Sequence, residues 1–278
     1  MTKTAWISVD MEGISGIVDR EQLLPGSRLY EASCALMMDD LDAVLAGLSE
    51  RNEVGRIVVN DSHDGMLNLP WSRFGRGVDL ISGGTKPGSM NAGVEAADFA
   101  IYLGYHAMAG TPNAVMDHTY SGEIREVMIN HKMVGETGLN AAWAGAHGVP
   151  VILVSGDQAV AQEATELLPG VETVVVKEAR SRRSARLLPP PEVHEALKRK
   201  TAQAVERYLT GAVEPLVFLA PLHLEIDLMT TDMADRVMFC PYMERLGGTR
   251  VGQTFASMDQ LFRGFYTAMA LAAGRPLY

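Results

Sequence analysis

Ile7-Ser8-Val9-Asp10-Met11-Glu12-Gly13 is the stretch whose reading decides the fold. It starts inside an apolar run, residues 4–9, of a length that suits a buried strand. The run breaks into two acidic residues and a loop containing Gly13, Gly16 and Gly26. Beyond that loop, Cys34, Met37, Leu41, Val44, Leu45 and Leu48 recur at helical spacing, so residues 27–51 read as an amphipathic helix. Strands are expected at 56–60, 78–81 and 99–103. A hairpin at 124–134 turns at Asn130-His131, and a helix rich in small residues follows at 136–146. Strands at 149–154 and 172–176 flank a helix at 158–168.

This alternation predicts an α/β fold, a largely parallel sheet with helices on both faces. Leu187-Leu188-Pro189-Pro190-Pro191 interrupts the rhythm and marks a boundary. It divides the chain into an α/β domain (1–190) and a smaller α+β domain (191–255). The smaller domain would hold a charged helix at 192–209 and a strand near 216–219. A last helix, capped by Ser257, lies in the segment 256–278 and is expected to return to the first domain.

Composition narrows the function. With 34 acidic against 24 basic residues the chain is acidic, which argues against a nucleic-acid partner, since phosphate binding is driven by Lys and Arg. The basic cluster from Lys177 to Arg186 reads as a solvated connector. Cys34 and Cys240 stand far apart in no CxxC frame, so neither a disulfide framework nor a cysteine-based zinc site is expected, and Cys34 reads as a buried structural thiol. No segment approaches the ~20 apolar residues that span a bilayer, and the first apolar run is too short for a secretion signal. The expected compartment is the cytoplasm, with no membrane partner.

Two strand ends share a pattern in which an apolar run breaks into polar residues that can bind metal: Val9-Asp10-Met11-Glu12 and Val59-Asn60-Asp61-Ser62-His63. A third, Leu103-Gly104-Tyr105-His106, ends in a histidine. In an open α/β sheet, ligands bind outside the carboxyl ends of the strands, so three such ends would converge on one crevice. In extended chain, residues i and i+2 face the same side, so Asp10 and Glu12 could share a site. Neighbouring carboxylates repel unless protonated or met by cations, and a pair of divalent metals bridged by one carboxylate relieves this. Asp10, Glu12, His63 and His106 form an oxygen-and-imidazole set suited to zinc, and Glu136 could add a carboxylate. Taken singly, each has a plainer reading as a cap, loop pair or surface histidine. His131, His147, His194 and His223 read as structural.

The motifs Ser8-Val9-Asp10-Met11-Glu12-Gly13-Ile14-Ser15-Gly16, Asn60-Asp61-Ser62-His63, Leu80-Ile81-Ser82-Gly83, Gly104-Tyr105-His106-Ala107, His118 and Val134-Gly135-Glu136-Thr137-Gly138-Leu139-Asn140-Ala141 follow one another in a familiar order. In order and spacing, across residues 6–190, they resemble the DppA-like D-aminopeptidase family of binuclear zinc metallopeptidases. The resemblance implies metal ligands at Asp10, Glu12, His63, His106 and Glu136, with Asp10 bridging two Zn2+ ions, and a catalytic role for His118. It implies hydrolysis of short peptides or amides with an N-terminal D-amino acid by a zinc-activated water. It also implies a ring-shaped homo-oligomer, with a decamer as one size. Met108, Asn113 and Asp117 depart from the family's usual run around His118, which leaves the substrate open. Two alternatives stand beside this reading: a binuclear amidase or esterase acting on L-peptides or amino-acid amides, and a non-catalytic peptide-binding protein.

Overall fold

The computed structural model describes residues 2–274. In chain order the strands are β1 (Lys3–Val9), β2 (Val54–Asp61), β3 (Val78–Ile81), β4 (Phe99–Leu103), β5 (Ile124–Ile129), β6 (Lys132–Met133), β7 (Val151–Asp157), β8 (Glu172–Ser181), β9 (Ser184–Leu187), β10 (Leu222–Leu228), β11 (Glu244–Arg245) and β12 (Arg250–Phe255). The helices are α1 (Tyr30–Ser49), α2 (Glu136–Ala146), α3 (Gln158–Leu167), α4 (Pro190–Leu209), α5 (Thr231–Val237) and α6 (Met258–Ala272).

Seven strands form one sheet in the order β3-β2-β1-β4-β7-β8-β9. Every pairing in it is parallel except the β8–β9 hairpin at one edge. β1 is buried on both faces. Ala5, Ile7 and Val9 enter a core with Met37, Leu41 and Val44 of α1 and Leu197 and Ala204 of α4. Trp6 enters a second core with Ala141 of α2 and Val160 and Ala164 of α3. Burial on both sides explains why this strand reads as an unbroken apolar run rather than an alternating one.

The strand order places the site. From β1 the chain runs outward to β2 and β3, then returns to add β4 on the other side of β1. At such a reversal the connections diverge and leave a crevice beyond the strand ends. Asp10 follows β1 directly and His106 lies just past β4. The two strand ends are in close contact: Asp10 N–H donates to Leu103 O at 2.9 Å, and Gly13 N–H donates to Gly104 O at 2.7 Å. A Cβ on Gly13 would sit 1.9 Å from the Tyr105 carbonyl oxygen, and one on Gly104, where φ is +73°, would sit 2.3 Å from the Asp10 carbonyl oxygen. Only glycine at both positions lets the loops approach this closely.

A second, antiparallel sheet has the order β11-β12-β10-β5-β6 and packs with α5 and α6. It draws strands from both sides of the proline run. Packing is continuous across that run, because α4 lies along α1 and against β7 and β8. Ser257 caps α6 by accepting from Gln260 N–H, and α6 packs on α2 as well as on β10 and β12. Residues 275–278 of the expected final segment lie outside the described residues.

Three local expectations need correction. The strand expected near 216–219 is irregular chain. Leu216 packs so tightly on α2 that a Cβ on Gly145 would meet its carbonyl oxygen at 1.9 Å, and the strand begins only at Leu222, where burial alternates. The basic run Lys177–Arg186 is no loose connector: it forms most of the β8–β9 hairpin, and Lys177 is fully buried. Cys34 is half-buried rather than buried, while Cys240 is buried, and both are free thiols.

Candidate metal centre

Two groups of side chains meet at the crevice, Asp10 with Glu12 and His63, and Glu136 with His106 and His118. Asp10, Glu12, His63, His106 and Glu136 are all buried. His63 Nδ1 lies 3.0 Å from Glu12 Oε2 and 3.3 Å from Asp10 Oδ1. His106 Nε2 lies 3.2 Å from Glu136 Oε1 and 3.5 Å from Asp10 Oδ2. Asp10 therefore offers one oxygen to each group. Glu12 reaches the site by a different route from the one its spacing suggested. The chain turns after Asp10, with Ile14 N–H donating to Met11 O, so Glu12 sits in a turn held against Gly104 rather than in extended chain.

His118 stacks on His106, with ring centroids 4.0 Å apart and planes 11° from parallel. Its Nε2 lies 3.5 Å from Glu136 Oε1 and 3.9 Å from Glu12 Oε1. Its Nδ1 faces Met116 O at 2.9 Å, and His106 Nδ1 faces Ala107 O at 3.1 Å. A carbonyl can only accept, so in the neutral rings both Nδ1 atoms carry the proton and both Nε2 lone pairs point into the site.

Without a cation the cluster is poorly satisfied. Asp10 Oδ2, Glu12 Oε2 and His106 Nε2 are buried, and although imidazole and carboxylate atoms lie near them none makes a well-aligned hydrogen bond. Buried charges persist only when paired or bound to metal. Burial, reinforced by Glu12, raises the Asp10 carboxyl to about 7. Burial works against charge on His63 and His106 too, yet Glu12 and Asp10 around the first, and Glu136 around the second, lift both well above the ordinary histidine range. Burial opposes charge on Glu12 and Glu136, but the surrounding histidines hold both below the usual carboxylate range. Burial and then His106 lower His118. The buried cluster thus takes up protons, and its oxygen-and-imidazole donors fit zinc.

Several supporting residues carried no sequence motif. Lys177 Nζ, from β8, donates to the carbonyls of Glu12, Ile14 and Ile17 at 2.5, 2.8 and 2.6 Å and so clasps the Glu12 turn from below. Lys86 Nζ donates to Asn60 Oδ1 and Asp61 O at 2.6 and 2.5 Å, bracing the end of β2 that leads to His63. Tyr120 N–H donates to Glu136 Oε1 at 2.6 Å. The one available signal was a lysine ending the apolar run Val174-Val175-Val176. The unusual residues near His118 also find roles. Met108 N–H is held by Glu163 at 2.8 Å, the Asn113 carbonyl accepts from Gln158, and Asp117 binds Gly110 N–H and Arg182. His131, His147, His194 and His223 lie elsewhere. His147 pairs with Asp259, His194 with Asp40, and His131 faces Glu225 near His223.

A parallel sheet that carries buried carboxylates and imidazoles at its reversal point defines the class, an α/β protein built to hold metal at the carboxyl edge of its sheet. The chain belongs to the D-aminopeptidase family, whose model (Peptidase_M55) it matches over residues 4–267. It is 38% identical over 257 residues to a D-aminopeptidase of Bacillus subtilis (strain 168), covering 92% of each chain. Its fold matches that of the Zn-dependent D-aminopeptidase DppA from Bacillus subtilis, described as a self-compartmentalizing protease. That match has a TM-score of 0.93 and 35% identity, and covers 99% of each chain.

Proposed function

We propose that this protein is a metal-dependent aminopeptidase that releases N-terminal D-amino acids from short peptides. Two zinc ions would be held between Asp10, Glu12, His63, His106 and Glu136, with Asp10 bridging. The observation that carries this reading is the Asp10 carboxylate, which turns Oδ1 to His63 and Oδ2 to His106. Bound zinc supplies Lewis acidity toward the scissile carbonyl and lowers the pKa of a water molecule.

His118 is the proton carrier. Burial and His106 favour its neutral form, and Met116 O occupies its Nδ1–H, so Nε2 is free to accept a proton from the attacking water. The same Nε2–H then protonates the departing amine. Stacking on His106 fixes the ring for both steps.

We place the protein in the cytoplasm as a ring-shaped homo-oligomer, with a decamer as the size implied by the family resemblance. Two free thiols suit a reducing compartment, and among the described residues no helix is long and apolar enough to cross a membrane.

The test is metal analysis of natively purified protein together with a panel of D- and L-amino-acid amides and dipeptides. The reading requires bound zinc and faster cleavage of the D series. Equal or faster L cleavage favours the broader amidase. Less than one metal per chain, with peptide binding retained in chelator, favours a binding protein.

A further inference from the structure

Two cavities adjoin the candidate metal centre. The cavity directly above Asp10, Glu12 and Glu136 also carries Asp64, a carboxylate outside the proposed ligand set. Past His118 it continues into a second cavity of about 490 Å³ that carries Arg20, Arg182 and Arg183. Glu12, Arg20 and His118 line both cavities and form the passage between them.

The three arginines are not equivalent. Arg182 is engaged, because its Nε and Nη2 donate to Asp117 Oδ1 and O at 2.8 and 2.9 Å. The side chains of Arg20 and Arg183 make no hydrogen bond or ion pair among the described residues. Glu123 also lines this cavity. Asp117 balances Arg182, which leaves Arg20 and Arg183 as the two guanidinium groups of this lining without a paired carboxylate. In a chain of net charge −10, two unpaired guanidinium groups on one cavity wall mark where an anion is admitted.

We propose that Arg20 and Arg183 bind the C-terminal carboxylate of a short, unblocked peptide whose N-terminal ammonium lies in the first cavity, beside Asp64. The inference rests on the peptidase reading above and names its substrate class. Extended chain spans ~3.3–3.6 Å per residue, so only in a peptide of a few residues can the carboxylate reach a chamber adjoining the reaction centre. Guanidinium groups match carboxylates in geometry and charge. Arg20 and Arg183 are therefore specificity-determining residues that select di- and tripeptides over amides and longer chains.

The experiment compares kcat/KM for D-alanylglycine and D-alanylglycinamide, using the zinc-loaded wild type, an Arg20→Gln/Arg183→Gln double variant and the corresponding double-Lys variant. Each protein is its own control, because the ratio of the two substrates does not depend on the fraction folded. The wild type should favour the free peptide by about tenfold or more. The Gln variant should bring the ratio close to one through a raised KM for the free peptide, and lysine should restore most of the preference. A wild-type ratio near one, or a ratio unchanged in the Gln variant, overturns the proposal. So does a Lys variant that behaves like the Gln variant, since the effect would then be one of packing. Wild-type protein that cleaves neither peptide overturns the peptidase reading itself, and this inference with it.

Discussion

Lys177 Nζ lies 2.5 Å from the carbonyl oxygen of Glu12. An ammonium on β8 thereby holds the backbone of a proposed metal-binding carboxylate on the loop after β1, and it does so from a fully buried position. Burial lowers this lysine to about 8, so near neutral pH it remains charged and can donate to all three carbonyls. Lys177→Met would leave those carbonyls buried and unpaired, at about 1–3 kcal/mol each before relaxation. We expect a loss of roughly 3–5 kcal/mol in denaturant unfolding, together with weaker zinc retention, because the Glu12 turn loses its anchor. Unchanged stability and unchanged metal content would show that the clasp does not position Glu12.

His118→Ala should separate chemistry from metal binding. The five proposed ligands, all buried, remain, so zinc content should match the wild type, while turnover should fall about 10²–10⁴-fold, the range for loss of a general acid–base group. Metal analysis and steady-state kinetics on the same preparation decide the matter. Full turnover with full metal content would remove His118 from the mechanism.

Asp10 and Glu12 should differ in what their loss does to zinc. Asp10 faces both histidines, whereas Glu12 lies beside His63. Asp10→Ala should therefore weaken both metal positions, while Glu12→Ala should retain about one zinc per chain. Equilibrium dialysis followed by elemental analysis distinguishes the two patterns. Equal losses in both variants would argue against Asp10 as the bridge.

Glu163, which holds the backbone just past His106, supplies a pH signature. Burial raises its carboxyl from 4.5 to about 7. Between those values the folded protein binds a proton that the unfolded chain releases. The group's contribution to stability is therefore complete below 4.5 and is lost as pH rises through about 7. Glu163→Gln retains an oxygen to accept from Met108 N–H without the charge. Its Tm should exceed that of the wild type increasingly from pH 5 to pH 8, by an amount on the order of 1–2 kcal/mol at the alkaline end. A Tm difference independent of pH would contradict this.

Within single elements the residues spoke for themselves. The double-sided burial of β1 was visible in residues 4–9, the cap of α6 in Ser257, and the polar strand ends that meet at the crevice in Asp10, His63 and His106. Caps, periodicity and turn residues act over a few positions of the chain, so local sequence suffices to specify them. The same logic misled where local pattern and packing disagreed. Leu216-Val217-Phe218-Leu219 is apolar enough for a strand, but it lies between Pro215 and Pro221 and runs against Gly145 of α2.

What the sequence by itself determined is therefore the α/β rhythm and the kinds of side chain available for metal chemistry. Only the tertiary structure decided which of them meet. The reversal of strand order between β1 and β4 sets Asp10 against His106, and it requires Gly13 and Gly104 to let the two loops touch. Strand pairing carries Lys177 beneath Glu12 and brings the tip of the β8–β9 hairpin, with Arg183, to the cavity shared with Arg20. The physical reason is range. Backbone preferences are settled between neighbours in the chain, whereas the field and shape of a site are settled between segments that meet only once the sheet has closed.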